Sequence, residues 1–350
     1  MERFILWWQM AAELKKLLKA SSRSFYLTLR VLPRRVRPQI SLAYLLARTT
    51  DTIADTEILP LGQRLDALQE LRERILGKST TPLNFGALIK HQSSPAERLL
   101  LEKVEKSLAL LPKLSPADLQ RVRGVLDIIT TGQELDLDRF AGASADNIIA
   151  LKSAVELDDY TYRVAGCVGE FWTQMCRAHL FPHAELEEAQ LFGDSIRFGK
   201  GLQLVNILRD LSADLHRGRC YMPLLELDQA GLMPSVLLSP ANESRFRPLF
   251  HRYLDLAESH LQAGWNYTTS LPRGQIRVRL ACAWPILIGA RTIERLRAAD
   301  VLKLRQGVKI SRSEVRGILQ RSVLLYPLQT AWQRQMVTSS KAVASGPKLG

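Results

Sequence analysis

Twice in this 350-residue chain, a pair of aspartates with Asp-x-x-x-Asp spacing interrupts an otherwise apolar helical run. The first is Asp51-Thr52-Ile53-Ala54-Asp55, which follows Ile40-Ser41-Leu42-Ala43-Tyr44-Leu45-Leu46-Ala47 and Arg48. The second is Asp210-Leu211-Ser212-Ala213-Asp214, which follows Leu202-Gln203-Leu204-Val205-Asn206-Ile207-Leu208-Arg209 and precedes Arg217 and Arg219. Positions i and i+4 of a helix share one face, one turn apart, so each pair aims two carboxylates in one direction. A helix that is apolar over most of its surface is mostly buried, and buried carboxylates need partners. Each of the two helices is a candidate wall for the other. Neighbouring carboxylates raise each other's pKa unless a cation sits between them. Mg²⁺ suits that position, because it uses one or two carboxylates together with substrate phosphates. The pattern points to a diphosphate grip. A single such spacing is commonplace on a solvated helix face, and Asp66 with Glu70 is read that way.

The rest of the chain supports a helical setting. Apolar residues recur at i, i+3, i+4 and i+7 over long stretches, and no sustained apolar/polar alternation is bounded by turn residues. Hydrophobic content of 46% and charged content of 24% are ordinary for a globular protein. Periodicity and breakers predict helices near 3–20, 22–31, 36–56, 61–76, 95–111, 116–140, 145–180, 185–216, 244–270, 274–299 and 311–325. The expected fold is all-α. With no linker to divide it, residues 1–335 are expected to form one domain and residues 336–350 a disordered tail. Gly77-Lys78-Ser79 is not a phosphate loop, since position 72 is Arg and no strand precedes it.

Four cysteines, Cys167, Cys176, Cys220 and Cys282, show no C-x-x-C spacing and read as small buried residues of a reducing compartment. The N-terminal Phe4-Ile5-Leu6-Trp7-Trp8 lacks a small-residue cleavage site. No run of about 18 uncharged apolar residues offers a membrane span. Cytoplasm is the expected location. Net charge is +13, and from Leu271 to Gly350 fifteen Lys and Arg face only Glu294, Asp300 and Glu314. No nucleic-acid-binding module accompanies this charge, so nucleic acid is not an expected partner. Peripheral contact with an anionic membrane at the inner leaflet and a simple solvated surface both remain open.

Polar stripes surround the aspartates. Tyr44, Arg48, Asp51 and Asp55 share one helix face, and Gln203, Asn206, Asp210 and Asp214 share another. Arg209 and Arg219 flank the second stripe, and arginine suits bidentate phosphate recognition. Upstream, Ser21-Ser22-Arg23-Ser24-Phe25-Tyr26 puts hydroxyls and an arginine near a helix start, where backbone N–H groups favour anions; N-capping accounts for at least one of the serines. Tyr160, Val164, Val168, Phe171 and Met175 form an apolar face, with Gly166 and Gly169 allowing close neighbours. That face reads equally as plain core and as the wall of a hydrocarbon tunnel.

Four of these segments, in order, resemble the squalene/phytoene synthase family: Ser22-Arg23-Ser24-Phe25, Tyr44 to Asp55, Tyr160-Thr161-Tyr162-Arg163-Val164-Ala165-Gly166-Cys167-Val168-Gly169, and Leu202 through Asp210 to Arg219. The resemblance runs from about residue 20 to 325. It implies an isoprenoid-synthase-type helical bundle around a central apolar cavity. The implied activity is head-to-head (1′-1) condensation of two farnesyl diphosphates through presqualene diphosphate, followed by NADPH-dependent reduction to squalene for sterol or hopanoid biosynthesis. Thr52 leans toward the squalene-forming branch, because the phytoene-type pattern usually has an acid there. Ala281-Cys282-Ala283-Trp284-Pro285 and Gly307-Val308-Lys309-Ile310 resemble segments that bear on the reductive step. Ala54 and Arg163 depart from that branch, which usually has an acid and an aromatic at these places.

By the same resemblance, Asp51, Asp55, Asp210, Asp214 and Asn206 are expected to bind Mg²⁺ (or Mn²⁺), and Tyr160 to assist proton transfer. Ser22, Arg23, Ser24, Phe25, Tyr44, Arg48, Val164, Val168, Gln203, Asn206, Arg209 and Arg219 are expected around the substrate. Lys309, Arg219 and Cys282 are expected around NADPH. No Gly-rich dinucleotide motif is present, so the NADPH expectation rests on the resemblance alone. Presqualene diphosphate, dehydrosqualene or phytoene as the end product remains the alternative. A head-to-tail prenyltransferase or terpene cyclase also uses aspartate-rich helices, but the position of Tyr160 and the Asp-Thr-x-x-Asp form argue against it, and the four retained aspartates argue against a catalytically silent assembly factor.

Overall fold

The computed structural model describes residues 16–21, 25–304 and 307–336, with the side chain of Phe25 excepted. Fifteen α-helices fill it. The described residues up to Asp138, together with Phe171–His183, form one compact unit; Arg139–Glu170, with the described residues from Ala184 onward, forms another.

In the first unit, α1 (Phe25–Val31) leads to α2 (Arg37–Ala54), α3 (Leu61–Leu76), α4 (Gly86–His91), α5 (Pro95–Glu102), α6 (Val104–Leu108) and α7 (Pro116–Arg139). Proline at the start of α2, where an N–H would lack an intrahelical partner anyway, fixes its entry. The buried positions of α2 are Ile40, Ser41, Leu42, Ala43, Leu45, Leu46, Thr49, Thr50, Thr52 and Ile53. Tyr44, Ala47, Arg48, Asp51 and Ala54 are the gaps in that set, so the predicted polar stripe lies on the unburied face. α2 packs on α3, α5 and α6. Each fully buried Leu or Ile contributes roughly 1.5–3 kcal/mol, whereas a partly exposed ion pair contributes about 0.2–1 kcal/mol. The leucines therefore orient α2, and the aspartates are carried into place. The predicted helix 95–111 is split into α5 and α6, because Lys103 leaves helical geometry between them.

In the second unit, α8 (Ala154–Thr161) runs through a π-turn, Tyr162–Gly166, into the start of α9 (Cys167–His179), whose residues from Phe171 onward belong to the first unit. A long α10 (Glu188–His216) follows, then α11 (Leu224–Gln229), α12 (Glu243–Ser270), α13 (Ile276–Ala298), α14 (Arg312–Leu325) and α15 (Gln329–Gln333). α10, α12 and α13 pack together, and α10 also lies against α8 and the π-turn. That approach is close enough to require glycine. A Cβ at Gly169 would stand 1.9 Å from the Ser195 carbonyl oxygen.

Two corrections to the sequence reading follow. The segment 145–180 is helical only from Ala154, because Ile149–Ala150 is drawn into a strand, and the π-turn inserts an extra residue and rotates the face beyond it. The stripe from Tyr160 to Met175 is therefore divided: Tyr160 and Val164 join the core of the second unit, while Phe171 and Met175 belong to the first. The structure also contains a short parallel strand pair, Ile149–Ala150 with Arg219–Cys220, that periodicity could not reveal at two residues each. The expected helix 3–20 and the tail from residue 337 lie wholly or mostly outside the described residues. Among the described residues, no helix is long and apolar enough to cross a membrane.

Candidate active site

Asp51 lies in the last turn of α2, and Asp55 is its C-terminal cap, donating its N–H to the Asp51 carbonyl at 2.9 Å. A helix C-terminus is the negative end of the macrodipole, so it favours cations and disfavours paired carboxylates. Gln133 on α7 donates from Nε2 to Asp51 Oδ1 in a very short contact. Arg48 Nη1 lies 3.4 Å from Asp51 Oδ2, while its Nη2 is 2.6 Å from Glu97 Oε1. Burial disfavours the Arg48 charge, but Asp51, Glu97 and Asp55 outweigh it and hold its pKa above the ordinary value. Burial, then the charge of Asp55, pushes the Asp51 carboxyl up to about 6 against the pull of Arg48 and Gln133. The Asp51 side chain keeps 44% of its surface accessible. The carboxylate therefore retains part of its hydration.

The second pair sits in the last two turns of α10, again at a negative helix end. Its residues fall outside the buried set of that helix, as do Gln203, Asn206 and Arg209. Arg209 folds back onto its neighbour, with Nε 2.9 Å from Asp210 Oδ1 and Nη2 on Oδ2. This bidentate contact holds the Arg209 pKa above its ordinary value. Asp214 faces Arg217 Nη1 at 3.7 Å. Asn206 Nδ2 donates to Gln203 Oε1 at 3.5 Å, along the predicted stripe. Arg219 is fixed by the strand pair, opposite Ile149. The Gly307 backbone passes so close to this helix that a Cβ there would be 2.3 Å from the Arg209 carbonyl oxygen and 3.1 Å from Asp210 Oδ1.

Tyr160 is buried and stacks on Tyr221, with ring centroids 4.9 Å apart. Its hydroxyl donates to the Tyr221 hydroxyl at 3.4 Å. Phe140 meets the other side of Tyr221 edge-on at 5.1 Å. Just before Tyr160, Asp159 is shared by Arg163 Nε at 2.8 Å and Arg139 Nη2 at 3.2 Å. The departure at Arg163 is thus an ion-pair partner beside the tyrosine. Val164 and Val168 are half-buried, and Val164 packs on the aromatic core.

Several expected residues have other settings. Ser22, Arg23, Ser24 and the Phe25 side chain lie outside the described residues. Cys282 is 1% exposed within α13, so its thiol does not reach a bound dinucleotide. Lys309 is exposed, with its carbonyl held by Arg295 Nη1 at 2.7 Å. Thr52 is buried and bonds the Arg48 carbonyl at 2.9 Å, off the face of the aspartates. Three residues escaped the sequence reading: Gln133, Glu97 and the role of Tyr221 as partner to Tyr160. Only Gln133 left a signal, as a glutamine next to Gly132 on a helix whose buried positions include both.

Among the described residues, no three His, Cys, Asp or Glu side chains gather to hold an ion unaided. Two carboxylates at a negative helix end nonetheless match the way Mg²⁺ binds, with substrate phosphate and water completing its shell. The buried Oε1 of Gln133, which has no hydrogen-bond partner among the described residues, suits a metal-bound water beside Asp51. The residues fit a divalent ion. Of the residues expected around NADPH, Lys309 is exposed, Arg219 is half-buried and Cys282 is buried.

The chain is 30% identical over 276 residues to a bifunctional lycopene cyclase/phytoene synthase of Phaeosphaeria nodorum, a match covering 75% of this chain and 43% of that protein. Squalene synthase ERG9 of Saccharomyces cerevisiae is 27% identical over 229 residues, 65% of this chain and 49% of that one. The chain thus matches under half the length of these relatives. The solved complex of TcSQS with a ligand has the same helical fold, with a TM-score of 0.78 at 19% identity over 96% of this chain and 92% of that one. Residues 18–314, which carry both aspartate pairs and Tyr160, match the family model for squalene/phytoene synthase, and the chain belongs to that family.

Proposed function

We propose that this chain condenses two farnesyl diphosphates head to head (1′-1) through presqualene diphosphate and then reduces the product to squalene with NADPH. Its family joins isoprenoid diphosphates head to head. The observation that carries the reading is the repeated arrangement of two carboxylates at a helix C-terminus with an arginine against them.

Asp51 and Asp55 on one unit, and Asp210, Asp214 and Asn206 on the other, would hold Mg²⁺ or Mn²⁺. Such an ion neutralises charge developing on a departing pyrophosphate. Arg48, Arg209 and Arg219 bind diphosphate oxygens. For Arg48 and Arg209 this means exchanging carboxylate contacts for phosphate ones, a near-even trade between charge-assisted hydrogen bonds. Tyr44 and Gln203 add hydroxyl and amide contacts along the same stripes. Closing the cyclopropane requires a proton to leave carbon. A neutral phenol is a poor base at pH 7, so Tyr160 Oη acts as a relay: it accepts the proton from carbon while its own passes on, directly or through Tyr221 Oη, to the released pyrophosphate. The apolar walls at Val164 and Val168 exclude water, which would otherwise trap the cation as an alcohol. NADPH would supply hydride for the final step, with Lys309 and Arg219 holding its phosphates.

A second reading ends before reduction, at presqualene diphosphate, dehydrosqualene or phytoene. The buried thiol of Cys282 and the phytoene synthase relative favour it. Product analysis decides. Farnesyl diphosphate with Mg²⁺ alone should give presqualene diphosphate or hydroxylated products, and NADPH should convert the output to squalene. No effect of NADPH on products or rate leaves the second reading standing. Tyr160→Phe should bind farnesyl diphosphate yet fail to accumulate presqualene diphosphate; an unchanged rate returns Tyr160 to a packing role.

A further inference from the structure

The last helices of the second unit carry a surface that the proposed reaction does not use. α14 buries one side, where Ser322 Oγ accepts from Trp284 Nε1 at 2.9 Å. Its opposite side displays Arg312, Arg316, Gln320, Arg321, Val323 and Leu324, all exposed. Leu324 is 75% exposed and Leu328, one turn on, 61%. The hydroxyl of Tyr326 donates to the Arg273 carbonyl at 2.7 Å. This contact brings the start of α13 alongside, with exposed Arg273, Ile276 and Arg277. The result is an apolar tip ringed by arginines.

Charge on this surface is one-sided. Residues 271–280 and 311–336 contain seven arginines and one acid, Glu314. That acid is committed elsewhere, to Ser311 and to Arg291 and Arg295 of α13. Arg279 is turned inward over Trp332, 4.7 Å from the ring centroid, and takes no part. Arg273, Arg312, Arg316 and Arg321 form no ion pair among the described residues. A solvated surface accounts for the arginines but not for two leucines at the tip, where each leaves apolar area in water. A nucleic acid would reward the arginines and leave the leucines idle.

We propose that this face docks on an anionic lipid bilayer, with Leu324 and Leu328 entering the headgroup–acyl boundary and Arg273, Arg277 and Arg321 lying against lipid phosphates. Arginine suits that place, since its stem covers apolar surface while its guanidinium stays at the headgroup level. The docking stands on this geometry alone. Its benefit rests on the proposed reaction, whose long hydrocarbon product needs an apolar sink.

Sedimentation of the full chain with vesicles tests it without any substrate, so its outcome is independent of the reaction. The protein should pellet with phosphatidylcholine vesicles containing phosphatidylglycerol, stay in solution with phosphatidylcholine alone, and be released by raised salt. Changing Arg273, Arg277 and Arg321 together to Gln should weaken binding on the order of a hundredfold, at roughly fivefold per arginine. Leu324→Ser with Leu328→Ser should weaken it about tenfold while leaving the helical circular dichroism unchanged. Equal pelleting with neutral vesicles, or undiminished binding by the arginine variant, overturns the proposal. So does a solution oligomer that Leu324→Ser dissociates, because the tip would then face a second copy.

Discussion

The two aspartate pairs have the same spacing and both end a helix, yet their charges are balanced by different means. Asp210 is covered by the residue next to it, Arg209, through two hydrogen bonds. That partner is local and comes with the helix. Asp51 is held from another helix by Gln133 of α7, and Arg48, one turn before it on α2, is shared with Glu97 of α5. Burial and the charge of Asp55 outweigh these contacts, and the Asp51 carboxyl rises to about 6. Asp210 is thus paired within its own helix, whereas Asp51 is held partly from α7 and shares its arginine with Glu97. Identical spacing therefore comes with different neighbours.

The largest test removes one carboxylate from each pair. Asp51→Asn and Asp210→Asn should each lower turnover by at least about a hundredfold, comparable with loss of a strong transition-state stabiliser, with circular dichroism unchanged. Normal turnover in either variant, or in chelator, removes that pair from the reaction.

Gln133→Leu sharpens the contrast, because Gln133 reaches the first pair from another helix. It should weaken Mg²⁺ binding roughly tenfold, the lower end of what outer partners contribute, and Mg²⁺ titration of activity reads it directly. An unchanged Mg²⁺ requirement would mean that Gln133 serves packing alone.

Acidity should discriminate as well. A metal must displace the proton from Asp51, so apparent Mg²⁺ affinity should be level above about pH 6 and fall roughly tenfold per pH unit below it. Asp51→Asn should abolish that slope in binding measured by calorimetry. A slope that survives the substitution assigns the proton to another group.

The smallest effect concerns stability without metal. A folded pKa raised above the unfolded 3.8 means that the native state holds the proton more tightly. The ionised form is then destabilising: absent below the unfolded pKa, the cost grows as pH rises and is complete above the folded value. Because Asp51 is partly accessible, its size is on the order of 1 kcal/mol. Metal-free Asp51→Asn should therefore gain about that much at pH 7 and lose the gain on acidification. Urea titration at the two pH values would show it, and an equal gain at both would point to packing instead of charge.

Local periodicity settled the helical class, most helix limits to within a few residues and the faces of α2 and α10. Those properties depend on which residues recur every three or four positions, and burial of that stripe is their physical cause. The Asp-x-x-x-Asp spacings were equally legible, since they act within one turn. What surrounds the carboxylates was not. Arg48 meets Glu97 across 49 residues of chain, and Gln133 meets Asp51 across 82. The Tyr160–Tyr221 stack and the passage of Gly307 over Arg209 are likewise long-range. The π-turn at Tyr162–Gly166 had no periodic signature, because one inserted residue changes the face without changing composition. Spacing along a helix decides which side chains point together, but charge, pKa and readiness to bind depend on neighbours that only packing delivers.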